Sequence, residues 1–209
     1  MPTETATPAS PALTRRDVPG LPRALVLMLH GGKETSTRPV DGRSASWRRS
    51  AAMQRAISDS LHAAGVSTWL VGYRQRGWNG GAPVEDARWA LDEVRRELGR
   101  LPVVLLGHSM GARTAVHVAD DQDVVGVVGL APWLPEGEPV EALAGKRLLA
   151  AHGRRDHITS PRATRAYVER AARVAAEVDF VDMGPVGHYM FKRVRAWNDL
   201  AARASLALL

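Results

Sequence analysis

The 209-residue chain contains no cysteine. That absence excludes disulfide scaffolds, thiolate metal centres, iron–sulfur clusters and a cysteine nucleophile. Lysine is scarce as well: Lys33, Lys146 and Lys192 are the only three, so arginine supplies 25 of the 28 basic side chains. The net charge is +6, but the arginines are scattered in pairs such as Arg48-Arg49 and Arg95-Arg96, with acidic residues between them. A nucleic-acid surface gathers its cations on one face, so no nucleic-acid partner is expected. Long apolar runs are missing too. Ala24–Leu29 spans six residues before His30-Gly31-Gly32, far short of the roughly 18 that a membrane-spanning helix needs. Arg15-Arg16 is followed by Asp17, Pro19 and Pro22 where a twin-arginine export signal would carry an apolar region. The expectation is a cytoplasmic protein with no membrane partner.

What is present is ordinary for a globular protein with a sizeable core: 45% hydrophobic and 24% charged residues. Residues 1–22 hold five of the 13 prolines and little that packs, and they read as a disordered or loosely packed leader. Residues 23–209 then form one domain. Six short apolar runs recur along it, at Ala24–Leu29, Thr68–Val71, Val103–Leu106, Val124–Leu130, Arg147–Ala151 and Val178–Val181. Continuous runs, unlike alternating ones, mark strands buried on both faces of a parallel sheet.

Helical spacing fills the gaps, as in Val84, Ala87, Leu91, Val94 and Leu98, and again in Val194, Trp197, Ala201, Ala204 and Leu208. Gly65 closes a helix starting near Ser46, and Ser160-Pro161 reads as an N-cap followed by proline at the first helical position. The fold class is α/β, a three-layer doubly wound sandwich with a mainly parallel, about six-stranded sheet, trimmed to an all-parallel core. Loops leaving the carboxyl ends of its strands would build the site.

One of those loops is Gly107-His108-Ser109-Met110-Gly111. The pattern G-x-S-x-G is short, so its weight comes from context: an apolar strand just before it and a helical segment just after it. A serine at so sharp a turn is backbone-strained, and side chains at 107 or 111 would collide, hence glycine at both. The turn exposes the Ser109 hydroxyl and aims the Met110 amide at the position of an oxyanion.

With strand, elbow and helix in place, the chain resembles the α/β-hydrolase superfamily over about residues 23 to 209. The resemblance implies a serine nucleophile at Ser109 and a chain order of serine, acid, histidine. His152-Gly153-Arg154-Arg155-Asp156 is similar to the family's acid loop, implying Asp156 as the acid, with Asp182 as the alternative. Gly187-His188 resembles the loop of the family's histidine base, implying His188; His157 is a distant rival. Leu29-His30-Gly31-Gly32 resembles the segment that completes the oxyanion hole, implying the Gly32 amide beside that of Met110, with Lys33 the neighbouring candidate. His108 reads as a supporting polar group, and His62 and His117 as helix residues that pack or face solvent.

Only residues 131–145 lie where many relatives insert a lid, too few for a lid domain. Trp133 and Leu134 would form an apolar wall for an acyl group, and Lys33 would lie beside the substrate. The loop from Gly72 to Ala82 carries Arg74 and Arg76, available to an acidic substrate tail or to the surface. No pair of histidines has metal-ligand spacing within one element, and Gly77-Trp78-Asn79-Gly80-Gly81 lacks the lysine of a phosphate-binding loop. No metal or cofactor is therefore expected. The family likeness implies a small, lidless serine hydrolase acting on a small-molecule carboxylic ester or thioester. Alternatives are a non-catalytic relative that binds a ligand, or a triad enzyme working as acyltransferase, amidase or perhydrolase. The oligomeric state is open.

Overall fold

A computed structural model describes residues 10–209. Seven strands form one sheet: β1 (Ala12–Arg16), β2 (Ala24–Leu29), β3 (Val66–Gly72), β4 (Val103–His108), β5 (Val124–Leu130), β6 (Arg147–His152) and β7 (Glu177–Asp182). Their spatial order is β1-β3-β2-β4-β5-β6-β7. Five helices connect or follow them: α1 (Ala45–His62), α2 (Ala82–Leu98), α3 (Met110–His117), α4 (Pro161–Ala171) and α5 (Val194–Ala207).

Each face of the sheet carries its own core. Leu25, Leu27 and Leu29 of β2 point toward α2, α3 and α4, packing with residues such as Leu91, Val116 and Tyr167. Ala24, Val26 and Met28 point the other way, toward Ile57 and Leu61 of α1 and Trp197 of α5. All six residues of β2 are buried, because a central parallel strand covered by helices on both sides has no face left for water. The helix ends follow the punctuation of the sequence. Gly65 (φ 71°) ends the turn after α1 and donates its N–H to His62. The Ser160 hydroxyl accepts from the Ala163 N–H at 3.1 Å at the start of α4.

Two expectations need correction. The sheet has seven strands and is not all parallel, since β1 pairs antiparallel with β3, Ala12 opposite Gly72 and Arg16 opposite Thr68. That strand comes from the segment read as a loose leader. It is held there by more than the ladder. Gln54 donates to the Thr14 carbonyl at 2.9 Å, Trp69 Nε1 to Asp17 at 2.7 Å, and the Arg15 guanidinium lies 4.2 Å over the Trp69 ring while pairing with Glu97. Four of its five residues are exposed, so no hydrophobic period announced it. The first nine residues of the expected leader lie outside the described residues. No helix among the described residues is long and apolar enough to cross a membrane.

Candidate active site

Strand β4 runs out at His108, and the next residue turns the chain sharply into α3. Ser109 sits at φ 55° and ψ −117°, a conformation that costs a non-glycine residue on the order of 1–3 kcal/mol. The surroundings hold it there: its N–H bonds the Leu130 carbonyl at 3.1 Å, and its own carbonyl accepts from Trp133 at 3.2 Å. A Cβ on Gly111 would lie 2.0 Å from the Leu29 carbonyl oxygen of the neighbouring strand, and one on Gly107 would meet the backbone of Ala112 at 2.4 Å. Only glycine lets the elbow seat this close to β2.

The loops after β6 and β7 are drawn together in the same way. A Cβ on Gly153 would strike the Val186 carbonyl at 2.2 Å, and in its absence the two loops bond directly. Arg154 N–H reaches Gly184 O at 2.8 Å and Arg155 N–H reaches Val186 O at 3.1 Å. This contact carries Asp156 to His188, and His188 to the elbow. His188 Nδ1 lies 2.8 Å from Asp156 Oδ2, and His188 Nε2 lies 3.0 Å from Ser109 Oγ. Hydroxyl, imidazole and carboxylate thus form one continuous chain, with all three residues buried.

Asp156 has more partners than that chain requires. Its Oδ1 accepts from the Ile158 and Thr159 amides at 2.8 and 2.9 Å. Its Oδ2 also accepts from His152 Nε2 and from the Thr159 hydroxyl, both at 3.0 Å. Burial pushes the Asp156 carboxyl up, but the bonds from His152, His188 and the two amides outweigh it and hold it well below the usual carboxylate range. A carboxylate can accept only, so the hydrogens sit on His188 Nδ1 and His152 Nε2. His188 Nε2 is left as an acceptor facing the Ser109 hydroxyl. The His152 ring is fixed in turn by Thr164 at 2.9 Å.

His152 and Thr159 escape a reading based on motifs alone. The one hint is the spacing of His152 four residues before Asp156, which places an imidazole at the end of the strand that delivers the acid. His108 donates from Nε2 to the His188 carbonyl at 3.1 Å, with the two rings 5.0 Å apart. Burial, then the His188 ring, push His108 down to about 3, so it stays uncharged beside its neighbour. Burial likewise lowers His30 to about 4.

The remaining candidates divide. Asp182 is exposed, caps the Gly184 amide at 2.8 Å and lies 3.6 Å from Arg154. His157 is exposed. Among the described residues no acceptor meets the Gly32 or Met110 amide, whereas the Lys33 amide bonds Arg76 O at 2.8 Å; the Lys33 side chain is exposed. Leu134 packs in the large core, and Trp133 lies half-buried against it. Arg74 and Arg76, the arginines of the 72–82 loop, are paired with Asp86 and Asp41 at 2.5 and 2.9 Å. Asn79, in the glycine-rich stretch, bonds both backbone groups of Ser36 and ties that loop down.

Solved structures repeat this architecture. An α/β serine hydrolase homologue from Coxiella burnetii superposes with a TM-score of 0.72 at 20% identity, over 93% of this chain and 91% of that one. A serine hydrolase without lid from Xanthomonas campestris gives 0.67 at 17% identity, over 97% of both chains. Est1E from Butyrivibrio proteoclasticus, solved with ferulic acid bound, gives 0.69 at 14% identity over 95% of both. No curated protein matches the sequence. At these identities the likeness establishes the fold. The sequence itself goes further, since residues 26–208 match the profile of the alpha/beta hydrolase family. A match over most of the chain, on a lidless sandwich with the elbow at its centre, makes this protein a member of the alpha/beta hydrolase family.

Proposed function

We propose that this protein is a serine hydrolase that cleaves a carboxylic ester or thioester through an acyl-enzyme. The observation that carries the reading is the unbroken chain from Ser109 Oγ to His188 at 3.0 Å and from His188 to Asp156 at 2.8 Å. A serine hydroxyl is a weak nucleophile unless a base stands within hydrogen-bond reach, and His188 Nε2 is that base.

Ser109 Oγ attacks the substrate carbonyl carbon as its proton passes to His188 Nε2. The oxyanion forms against the Met110 and Gly32 amides, which have no protein acceptor of their own among the described residues. Asp156, ionised throughout, fixes the His188 tautomer and stabilises the imidazolium. The protonated His188 then gives its proton to the departing alkoxide or thiolate. Water enters, His188 removes one of its protons as the water oxygen adds to the acyl carbon, and collapse releases the carboxylic acid while His188 returns the proton to Ser109 Oγ. His108, held neutral, sets no like charge against the imidazolium. Trp133, with Leu134 behind it, walls the acyl side, and Lys33 stands exposed at the rim.

Ser109→Ala should lower turnover of a p-nitrophenyl ester by about a millionfold if the three side chains act as a unit. A fluorophosphonate probe should label the wild-type protein at Ser109 and leave Ser109→Ala unlabelled. Wild-type turnover by Ser109→Ala would end the proposal.

A further inference from the structure

Tyr189 follows directly on His188 and Phe191 comes two residues later, and both are turned outward, 54% and 73% exposed. Their rings stack at 5.7 Å with only 22° between planes, and Tyr189 meets the His188 imidazole edge-on at 5.3 Å. The backbone beneath them is over-determined. Met190 and Arg193 are both held at positive φ, 57° and 56°, and Arg49 reaches from α1 to the Tyr189 and Met190 carbonyls. An exposed aromatic pair on a fixed loop is a surface that folding alone does not explain.

The pair borders a shallow cleft of about 380 Å³, lined also by Arg155, His157, His188 and Lys192. Its charge is one-sided: two permanent cations line it and no carboxylate does. Arginines elsewhere in the chain are neutralised by acids, as Arg15 is by Glu97, Arg74 by Asp86, Arg95 by Asp121 and Arg154 by Asp182. No carboxylate pairs with Arg155 or Lys192 among the described residues. Phe191 also walls a second cleft, about 480 Å³, whose lining holds Arg48, Arg49 and Arg55. The cationic character therefore continues past the aromatic ridge.

The position of the cleft states what it would bind. In the mechanism proposed above, on which this step rests, His188 Nε2 hands its proton to the leaving oxygen or sulfur. The departing half of the substrate must then lie on the His188 side of the bond, and His188 is the member of the Ser109–His188–Asp156 chain that lines this cleft. We infer that the cleft is a leaving-group subsite for an alcohol or thiol that joins an apolar, preferably aromatic body to an anionic group. The ring would stack on Tyr189 and Phe191. The anion, a carboxylate or a phosphate, would meet Arg155 and Lys192.

Matched acetate esters of three phenols test it: one with a para carboxylate, one with a para phosphate, and one with a neutral para carboxamide. Wild-type kcat/KM should favour at least one anionic ester over the carboxamide by about tenfold at low salt, and the preference should shrink as salt is added. Whichever anion is preferred identifies the group recognised. Partly exposed charge pairs contribute up to about fivefold each, so Arg155→Gln and Lys192→Gln should each lower the anionic-to-neutral ratio by roughly threefold. The double variant should bring it near one. Arg173→Gln removes the same charge near the amino ends of β6 and β7 and should leave the ratio in place. Equal use of all three esters by the wild type, or a ratio that survives the double variant, overturns the subsite while leaving the hydrolase standing. Failure of every ester, with no probe on Ser109, overturns both.

Discussion

Two groups of aromatic rings and guanidinium groups flank Ser109, and they are built in opposite ways. On the α3 side, the Arg113 guanidinium lies between Trp78 and Trp133, 4.1 and 4.5 Å from their ring centres. Its Nε bonds the buried Glu138 carboxylate at 2.7 Å, and His117 bonds the same oxygen at 2.5 Å. Every charge and every ring there is used by another. On the His188 side, Tyr189, Phe191, Arg155 and Lys192 face outward with no acid among them. A cation near Ser109 is therefore no sign of a ligand by itself. Arg113 is four residues from Ser109 and is already neutralised, whereas Arg155 is left with its charge to spend on something outside the fold.

The closed flank should break first and hardest. Burial pushes the Glu138 carboxyl up, but the bonds from His117 and Arg113 outweigh it and hold it below its ordinary value. Glu138→Gln leaves a guanidinium clamped between two indoles without its counter-charge. Removing one member of a buried ion pair costs about 3–5 kcal/mol; with Arg113 and His117 each partly exposed, about 3 kcal/mol is expected. For a chain of this size that lowers Tm by roughly 6–12 °C. The removal of Arg155 from the open flank should stay within about 0.5 kcal/mol. Thermal melts of the two variants side by side check the contrast, and equal losses would erase it.

Acid should separate the interior from the open flank as well. His30 and His108 are lowered from 6.5 to about 4 and about 3, so both are neutral in the folded protein where the unfolded chain already binds protons. Stability then falls as pH drops below 6.5, and at pH 5 each histidine accounts for about 2 kcal/mol of the loss. Asp156 acts in a lower window. Its folded value lies below the 3.8 of the free side chain, so its contribution is complete above that pH and is lost only further down. Urea midpoints measured from pH 7 to pH 5 should slope less in His108→Gln than in the wild type. Identical slopes would mean that His108 is charged in the fold.

How much of this is legible in the sequence depends on what each element buries. Ala24–Leu29 and Val124–Leu130 can be bounded by eye because water reaches neither face of a central strand. Ala12–Arg16 cannot, because only Leu13 packs inward and its other partners, Gln54, Trp69 and Glu97, lie far along the chain. Ser109, Asp156 and His188 stand out because each follows a strand in a loop with a glycine one to three residues away, and those glycines permit the close backbone approaches that bring the loops together. His152 and Thr159 leave no such mark. A donor to Asp156 needs only the right place in space, and no spacing rule encodes it. The Arg113–Glu138 lock is hidden for the same reason, since it joins a helix to the lidless loop through purely tertiary contacts.

The smallest effect is the sharpest test of the difference between the flanks. Phe191 is 73% exposed, so Phe191→Ala removes little packing, and its Tm should match the wild type within about 0.5 kcal/mol of stability. What it removes is one face of the stacked pair. An aromatic contact contributes about 0.5–1.5 kcal/mol beyond area burial, so kcat/KM for aryl esters should fall relative to alkyl esters of the same acid by about two- to tenfold. The ratio matters, because a change shared by both ester types would report a shift of His188 and not the loss of a binding surface. A large drop in Tm would instead make Phe191 a structural ring like Trp78, which is buried in the core, and the two flanks would then differ only in how much of each the solvent sees.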